Sequence, residues 1–550
     1  MSAATHEDDL PVLAEVGRWS RLDSWLERCG ERLNPILVKE ARQALKSRQF
    51  VITFSLLLVC GWAWSLMGVA LQMPEIYYSP SGPFMLTGYF VVLTVPLLLI
   101  VPFAAYRSLA AEREDGTYEL LSITTLSSRQ IVTGKLGSAV LQMLVYYSAL
   151  SPCIAFTYLL RGIDILTIVF TLAYTFMASL LLSAVGLIVA AASRARHVQI
   201  LLSVVLLMGL AVVTIIWCVY SSVALFEHEM LPFDEDGFWI AQGMILSLYI
   251  SYVVLFVLAA SAQLSFASDN RSTKLRIVML VQQVLLTGWV LYLWLKWPED
   301  EMFPVFLSFS AVHWMIMGAL LTGEWAQLSP RVQRQLPRSF LGRALCTWFN
   351  PGSGSGYVFA VVNLVAATLV ISAVGLFAQA IGRSGAPRNY SAYLFGALVC
   401  AYVAGYLGVG RLLVLGLRRF LNFGLLLPFV IHVLLVLIGM AVPFFLQAWL
   451  QGFAIRNDYT VLQVTNWAWT LYQAAENKLG TTPEAPIVIL LGSLAIFLVN
   501  LVVAAREIEQ VRQEAPERVV RDDIELHPER AVQPKPPTSP WDEPAQTPGP

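Results

Sequence analysis

Long apolar segments, interrupted by short polar ones, dominate the pattern along the chain. A helix that crosses a membrane needs about 20 predominantly apolar residues. Twelve segments meet this requirement: 51–71, 85–106, 136–160, 164–192, 198–225, 239–264, 277–295, 303–322, 357–381, 391–416, 422–446 and 486–504. The pattern therefore predicts an all-α integral membrane protein with about twelve transmembrane helices in two six-helix bundles, one over 51–264 and one over 265–504.

A shorter amphipathic segment, "NPILVKEARQALKSRQF", precedes the first span. Its apolar positions share one arc of a helix: Leu37, Val38, Ala41, Ala44 and Leu45. Its polar positions share the other arc: Lys39, Arg42, Gln43, Lys46 and Ser47. A helix with this distribution lies in the plane of a membrane surface, with its basic face toward the lipid headgroups. Within the N-terminal segment 1–50 we therefore expect an interfacial helix that contacts lipid through Lys39, Arg42 and Lys46.

Composition supports the membrane assignment and excludes several classes of function. Hydrophobic residues make up 57% of the 550 residues and charged residues only 13%, against about 25% charged residues in soluble domains. The formal net charge of −1 gives no basic field for nucleic acid. Six scattered cysteines without CxxC spacing predict neither a metal site nor a disulfide framework. The charged and then proline-rich segment 505–550 is expected to be a disordered cytoplasmic tail.

The distribution of Lys and Arg fixes the expected orientation. When the N-terminus is placed in the cytoplasm and the twelve spans alternate, 30 of the 36 Lys and Arg residues fall on the cytoplasmic side. Cytoplasmic loops of membrane proteins carry an excess of Lys and Arg. The chain is therefore predicted to be a multi-pass protein of the plasma (inner) membrane, with both termini in the cytoplasm.

A cluster of charges interrupts the apolar pattern between the second and third spans, in loop 107–135. Gly116 can end a short helix that carries the acids. Ser127-x-x-Gln130 has the spacing of a capping box that starts the next helix. These signals predict a compact helical knob with exposed acids and leucines. The alternative is a solvated loop with an ordinary helix cap.

The residues of this loop resemble a family motif. The pattern "ER-x-x-GT-x-E-L-L", followed by Leu-Ser, Ile and Gly-Lys, is similar to that of permease subunits of ABC exporters of the second class. Thr125 stands where proline is common in that family. The resemblance covers about residues 30–264. It implies that the knob is a coupling helix that docks on a separate ABC ATP-binding subunit. The matching coupling residues are Glu112, Arg113, Gly116, Thr117, Glu119, Leu120 and Leu121.

The chain carries no ATPase motif of its own. "TGKLGS" has the Gly-Lys pair of a phosphate-binding loop but lacks the upstream glycine and the following hydroxyl. The resemblance therefore implies that ATP and Mg bind to the partner subunit, and we expect no enzyme activity, cofactor or metal in this chain. Its other expected partners are membrane lipid and a second permease, either another copy of this chain or a different one.

The second half repeats part of the motif in its own loop, 323–356. Leu321-x-x-Glu324 echoes Leu109-x-x-Glu112, and Gly342-Arg343 echoes Gly134-Lys135. One interpretation is a degenerate permease half with a second coupling loop that contains Glu324, Arg331 and Arg338. The other is a basic cytoplasmic loop without ancestry in the motif. The glycine-rich stretch "NPGSGSG" (350–356) is predicted to be a linker.

Two histidines, His313 and His432, lie well inside predicted spans. Ionisable residues within a membrane are candidates for function, although a neutral histidine bonded to a neighbouring helix is the commoner case. The family resemblance favours an exporter permease. The alternatives are a non-transporting membrane scaffold derived from a permease and a secondary transporter, although no span holds the acidic series of a proton relay.

Overall fold

A computed structural model describes most of the chain. The described residues are 34–118, 126–192, 195–226, 231–266, 268–299, 301–325, 328–337, 339, 341–342, 346–382, 390–421, 423–452, 459–507 and 517–527. Across these ranges the regular secondary structure is entirely helical. Twelve of the described helices are long and apolar enough to cross a membrane. The prediction of an all-α, multi-pass membrane protein with twelve candidate spans is therefore confirmed.

The helices separate into two compact units. One unit contains the residues up to Ala241 together with Phe256–Leu264, and the other contains Gln242–Leu255 together with the residues from Ser265 onward. The helices up to the boundary are α1 (Pro35–Leu45), α2 (Arg48–Gln72), α3 (Gly82–Glu114), α4 (Ser128–Leu159), α5 (Ile165–Ala192), α6 (Arg196–Phe226) and α7 (Asp236–Leu264). Residues of α7 belong to both units.

The second unit continues with a further series of helices. They are α8 (Thr273–Lys296), α9 (Met302–Thr322), α10 (Pro330–Gln335), α11 (Ser353–Ala380), α12 (Tyr390–Leu417), α13 (Leu426–Leu450), α14 (Trp467–Ala475), α15 (Glu484–Glu507) and α16 (Glu517–Leu526). Single 3-10 turns occupy Glu75–Tyr77, Thr347–Phe349, Val461–Thr465 and Leu479–Thr481. The segment 505–550, predicted to be disordered, is helical over 505–507, which end α15, and over 517–526, which form α16, so the prediction is wrong for these residues. Residues 508–516 and 528–550 lie outside the described residues.

The core of the first unit is built around α3. Its side chains at Met85, Leu93, Leu97, Val101 and Leu109 are completely buried. A π-helical turn begins at Pro96 in the middle of α3, where proline cannot donate a backbone hydrogen bond. The Ser179 hydroxyl on α5 donates to the Leu97 carbonyl at 2.5 Å, so a neighbouring helix serves a backbone group of the irregular turn.

The second unit packs around α9, α11 and α12. The first turn of α11, Ser353–Gly356, is buried between neighbouring helices. A Cβ atom at Gly354 would lie 2.7 Å from the Ala504 Cβ atom, and one at Gly356 would lie 2.9 Å from the Leu321 carbonyl oxygen. The glycines thus permit close helix contact, and the prediction that this glycine-rich stretch is a linker is wrong.

Candidate functional site

The end of α3 and the start of α4 bring Glu112 and Lys135 together. The Lys135 side chain is 1% exposed, and its Nζ atom lies 3.0 Å from Glu112 Oε2 and 3.0 Å from Glu40 Oε1. Nζ also donates to the carbonyl oxygen of Ser108 at 3.3 Å. A buried ammonium group needs such partners because its desolvation is costly. One cation therefore joins α1, α3 and α4.

The exposed Lys39 completes a neutral ion cluster. Its Nζ atom lies 3.4 Å from Glu112 Oε1, and its side chain is 59% exposed. Two lysines thus face two glutamates, so the cluster has no net charge. We call Lys39, Glu40, Glu112 and Lys135 the base cluster. The sequence analysis predicted none of these ion pairs, because residues on separate helices can meet without any local signal.

The position of α1 follows from two glycines on α4. A Cβ atom at Gly134 would lie 2.9 Å from the Ile36 Cβ atom, and one at Gly137 would lie 2.8 Å from a Leu37 methyl group. The Asn34 side chain caps α1 by accepting from the Ile36 amide at 3.1 Å. Ile36 and Leu37 therefore pack directly on α4, which places Glu40, one turn after Ile36, beside Lys135.

The basic residues of the predicted polar face divide between the base cluster and the surface. Lys39 belongs to the base cluster through its ion pair with Glu112. Arg42 and Lys46 are exposed farther along the same helix face and just beyond its end. The contact of these three residues with lipid stays a prediction.

The last residues before the loop are tied to two further helices. Arg113 Nη1 donates to the Ala191 carbonyl at the end of α5, at 2.8 Å. The Arg113 guanidinium lies 5.4 Å from the centroid of the Tyr118 ring. The Tyr118 hydroxyl donates to the Leu264 carbonyl at the end of α7, at 2.6 Å. The base of the loop is thus attached to α5 and α7 as well as to α1 and α4.

The chain leaves α3 in the manner that the sequence predicted at Gly116. Its φ of +69° lies in the left-handed region, which favours glycine after a helix end. The Thr117 hydroxyl donates to the Glu112 carbonyl at 3.1 Å, one of the carbonyls that a helix end leaves without a partner in the helix. Glu112 and Glu114 belong to the end of α3, which continues to Glu114, and not to a separate short helix.

The surface of the loop begins at Glu114. The residues from Glu114 to Thr117 are exposed. Glu114 pairs with Arg196 at 2.9 Å, but both side chains are largely open to solvent. Glu119, Leu120 and Leu121, which the family resemblance assigns to coupling, lie outside the described residues.

The predicted capping box at the start of α4 is confirmed. The Ser127 hydroxyl accepts from the Gln130 amide at 3.3 Å, and the Gln130 side chain accepts from the Ser127 amide at 2.9 Å. Two backbone donors at the helix start are thereby satisfied. The loop therefore has two well-defined ends, the capped start of α4 and the Gly116 terminus of α3.

The base cluster lines a cleft of about 530 Å³. Among its lining residues are Gln43, Thr53, Arg107, Gln142 and Tyr146. Within this lining the Thr53 and Tyr146 hydroxyls lie 2.7 Å apart. Hydroxyl and amide groups beside small apolar side chains can hold water or the polar part of an amphiphile.

In the second unit, Glu324 is also held by a buried cation. Arg276 is 0% exposed, and its Nη2 atom lies 2.6 Å from Glu324 Oε2. The same carboxylate oxygen accepts from the Gly352 amide at 2.9 Å. Arg276 Nη1 donates to the Trp348 carbonyl at 2.8 Å and to the Ser355 hydroxyl at 3.0 Å.

A second ion pair holds the other side of the same helix start. Arg411 is 0% exposed, and its Nη2 atom lies 2.8 Å from Glu507 Oε1. The other oxygen of Glu507 accepts from the Gly354 amide at 3.2 Å. Two carboxylates therefore accept from backbone amides at the N-terminus of α11, where the helix dipole favours negative charge, and a buried arginine neutralises each of them.

Of the two proposed echoes between the halves, the structure supports the first, Leu-x-x-Glu. Leu109 and Leu321 are both buried, and both Glu112 and Glu324 pair with a buried cation. The cations come from different places, since Lys135 lies on the following long helix and Arg276 on the preceding one. Gly342 precedes the start of α11 and so differs in position from Gly134, which lies within α4. Arg343 lies outside the described residues.

The other residues of the possible second coupling loop are placed differently. Arg331 pairs with Asp269 at 2.6 Å on the surface, and Arg338 lies outside the described residues.

Arg418 donates to the Glu324 carbonyl at 2.6 Å and lies 4.7 Å from the centroid of the Trp325 ring. Burial lowers the pKa of Arg418, and the Glu507 charge opposes this shift. The Glu324 carboxylate is thus directed into the protein, toward Arg276 and α11.

The two histidines have different surroundings. His432 Nε2 lies 3.2 Å from the Thr322 hydroxyl, and its Nδ1 lies 2.7 Å from the Pro428 carbonyl, so both ring nitrogens are partnered. His313 Nδ1 lies 3.0 Å from the Tyr252 hydroxyl. Within the described ranges, no group of three or more His, Cys, Asp and Glu residues is placed to hold a metal ion.

Known proteins add no further assignment to this geometry. Comparisons with models of protein families, with curated proteins and with solved structures found no match to this chain.

Proposed function

We propose that the chain is the membrane-spanning permease subunit of an ATP-driven ABC exporter, coupled to a separate ATP-binding subunit through loop 107–135. The motif resemblance supplies the family. The structural observation that supports it most is the buried Lys135, because it binds Glu40 and Glu112 and so joins three helices at the base of the loop.

The geometry supports a mechanical role for the motif residues. Glu112 and Arg113 bind within the chain, to Lys135 and to the Ala191 carbonyl. Their contribution to coupling is therefore positional. The exposed stretch from Glu114 to Thr117 is a surface available to a partner. A partner that moves this stretch would move the ends of α3, α4, α5 and α7 together, since hydrogen bonds and ion pairs connect them.

The same proposal assigns an orientation and a membrane. The Lys and Arg distribution favours both termini in the cytoplasm and the chain in the plasma (inner) membrane. In this orientation α1 lies on the inner leaflet, as an interfacial amphipathic helix. Its exposed Arg42 and the adjoining Lys46 would then face anionic headgroups, which attract basic residues.

Thiol labelling tests the orientation. In a chain whose six native cysteines have been replaced, Asp234→Cys is expected to react with an impermeant thiol reagent on intact cells. Gln335→Cys is expected to react only after the cells are opened. Both positions are exposed, so burial does not explain a difference. The reverse pattern would contradict the assigned topology.

Site-specific crosslinking tests the docking surface. A photoreactive residue in place of Asp115 is expected to crosslink to the ATP-binding subunit, because Asp115 is exposed beside the rigid base. The same residue in place of Arg331 is not expected to do so, because Glu324 of that loop is held inside the second unit. Co-purification of the ATP-binding subunit with this chain provides a second measurement of the same binding.

The outcomes of the crosslinking experiment separate the proposals. Crosslinks from position 115 alone would imply that one chain offers one docking loop, so that a two-subunit ATPase needs a second permease chain. Crosslinks from both positions would identify the second unit as a second permease half. If neither position crosslinks to an ATP-binding subunit, the coupling proposal is wrong and a non-transporting scaffold becomes the better interpretation.

A further inference from the structure

Polar side chains meet near the middle of three helices of the second unit. Ser251 and Tyr252 lie near the middle of α7, Gln282 and Gln283 near the middle of α8, and His313 near the middle of α9. The middle of a spanning helix lies in the hydrocarbon region of a bilayer. Polar residues at this depth are costly and usually serve a function.

Hydrogen bonds connect these side chains across the helices. Tyr252 Oη lies 3.0 Å from His313 Nδ1. Gln282 Nε2 donates to the Ser251 hydroxyl at 3.3 Å. Trp314 Nε1, next to His313, donates to Gln283 Oε1 at 2.6 Å. This polar network therefore joins α7, α8 and α9.

Three buried atoms of this region are left without a hydrogen-bond partner among the described residues: Gln282 Oε1, Ser310 Oγ and His313 Nε2. Ser310 lies one turn before His313 and Trp314 on α9, and residues three and four apart share a helix face. A buried polar atom without a partner has lost its hydrogen bonds to water, which destabilises the protein. Such atoms are rare in native proteins unless water or a ligand bonds to them.

The chemistry of the network limits what could fill these positions. Its members are amides, hydroxyls, an indole and an imidazole, and none of them is an acid, a lysine or an arginine. A charged ligand would lack a counter-charge in this environment, which makes its burial unfavourable. A hydroxyl group can both donate and accept, so it can satisfy the carbonyl oxygen of Gln282 and either tautomer of His313.

We propose that Gln282, Ser310 and His313 form a binding site in the middle of the membrane for an uncharged hydroxyl group, supplied by water or by a small neutral alcohol. The site lies within the second unit, and it does not depend on docking of an ATP-binding subunit. It would give the second unit, most of which the family resemblance does not cover, a contact for a polar molecule inside the bilayer.

Cysteine reactivity tests whether an alcohol-sized molecule reaches the site. In a background without the six native cysteines, the Ser310→Cys variant is compared with the Leu307→Cys variant. Leu307 lies one turn earlier on α9, is 3% exposed, and belongs to the apolar core. The probes are 2-hydroxyethyl methanethiosulfonate, which is neutral and carries a hydroxyl, and its cationic trimethylammonium analogue.

The neutral probe is expected to modify the Ser310→Cys variant about tenfold faster than the Leu307→Cys variant, because only the thiolate reacts and apolar surroundings suppress its formation. The cationic analogue is expected to react with the Ser310→Cys variant more slowly than the neutral probe does. Equal rates for the two probes would overturn the preference for an uncharged ligand.

Radiolytic footprinting of the unmodified protein tests for water at the same site, and does not depend on any substitution. Trp314 and Trp294 are equally buried, at 0% and 1% exposed. Trp314 bonds to the network, whereas Trp294 packs in the apolar core against Phe303. Water at the site is expected to make oxidation of Trp314 faster than that of Trp294.

The two experiments together distinguish the ligands. Faster oxidation of Trp314 without thiol modification of the Ser310→Cys variant identifies water as the ligand. Modification of that variant identifies a site that admits an alcohol. If Trp314 is oxidised no faster than Trp294, and Ser310→Cys reacts no faster than Leu307→Cys, the proposal is wrong.

Discussion

Replacement of Lys135 by methionine is expected to lower the free energy of unfolding of the first unit by about 3–5 kcal/mol, the usual loss when one partner of a buried ion pair is removed. Methionine preserves most of the volume of the side chain, so the loss reflects charge and not a cavity. The carboxylates of Glu40 and Glu112 would remain, largely buried and without the ammonium group that both of them contact. The midpoint of thermal unfolding in detergent measures the change.

Two further variants separate charge from packing in the base cluster. Lys39→Met removes an exposed cation from the same cluster and is expected to cost at most about 1 kcal/mol, as surface pairs do. Adding Glu40→Gln and Glu112→Gln to Lys135→Met removes the unpaired charges and is expected to recover most of the lost stability. If Lys39→Met is as damaging as Lys135→Met, or if the triple variant recovers nothing, the ion pairs are not the reason for the stability of this region.

In the second unit, Arg276→Met is expected to destabilise the protein by a similar amount, about 3–5 kcal/mol. The substitution leaves Glu324 without its cation and removes donors to the Trp348 carbonyl and the Ser355 hydroxyl. The start of α11 should open first, because these contacts hold it. Hydrogen exchange of the Ser353–Gly356 amides is expected to accelerate along with the loss of thermal stability.

The control for Arg276 lies in the same unit. Arg331 also forms an ion pair, with Asp269 at 2.6 Å, but the arginine side chain is 57% exposed. Arg331→Met is therefore expected to change stability by at most about 1 kcal/mol. Glu324→Gln in the Arg276→Met background keeps an acceptor for the Gly352 amide and is expected to restore part of the loss. Comparable destabilisation by Arg276→Met and Arg331→Met would contradict the central role of the buried pair.

Local patterns in the sequence predict the elements of this fold well. The twelve apolar runs correspond to twelve long helices among the described residues. The capping box at Ser127 and the helix end at Gly116 form because a few neighbouring residues determine them. The same reasoning predicts too short an α3, because it assigns the charged residues up to Glu114 to a separate helix. Charged residues do not end a helix when ion pairs neutralise the charges in its last turns.

The contacts between distant segments could not be predicted from local patterns. Glu40 and Lys135 are separated by 95 residues, and nothing in either neighbourhood indicates that they meet. Arg411 lies inside the predicted span 391–416, and nothing near it in the sequence indicates its partners, Asn500 and Glu507, which follow 89 and 96 residues later on α15. The glycine-rich start of α11 has the composition of a linker. Only its close contacts with other helices show that it belongs to a packed helix.

The position of Glu507 sets a limit on how far the chain can be shortened from its C-terminus. It is the last residue of α15, and its carboxylate binds Arg411 and the Gly354 amide. A truncation after Glu507 would leave the contacts at the start of α11 complete. A truncation one residue earlier would remove the counter-charge of the buried Arg411. It would also remove an acceptor at the start of α11, which begins more than 150 residues before Glu507. An affinity tag or fluorescent fusion therefore belongs beyond Glu507, with a spacer long enough to leave that carboxylate in place.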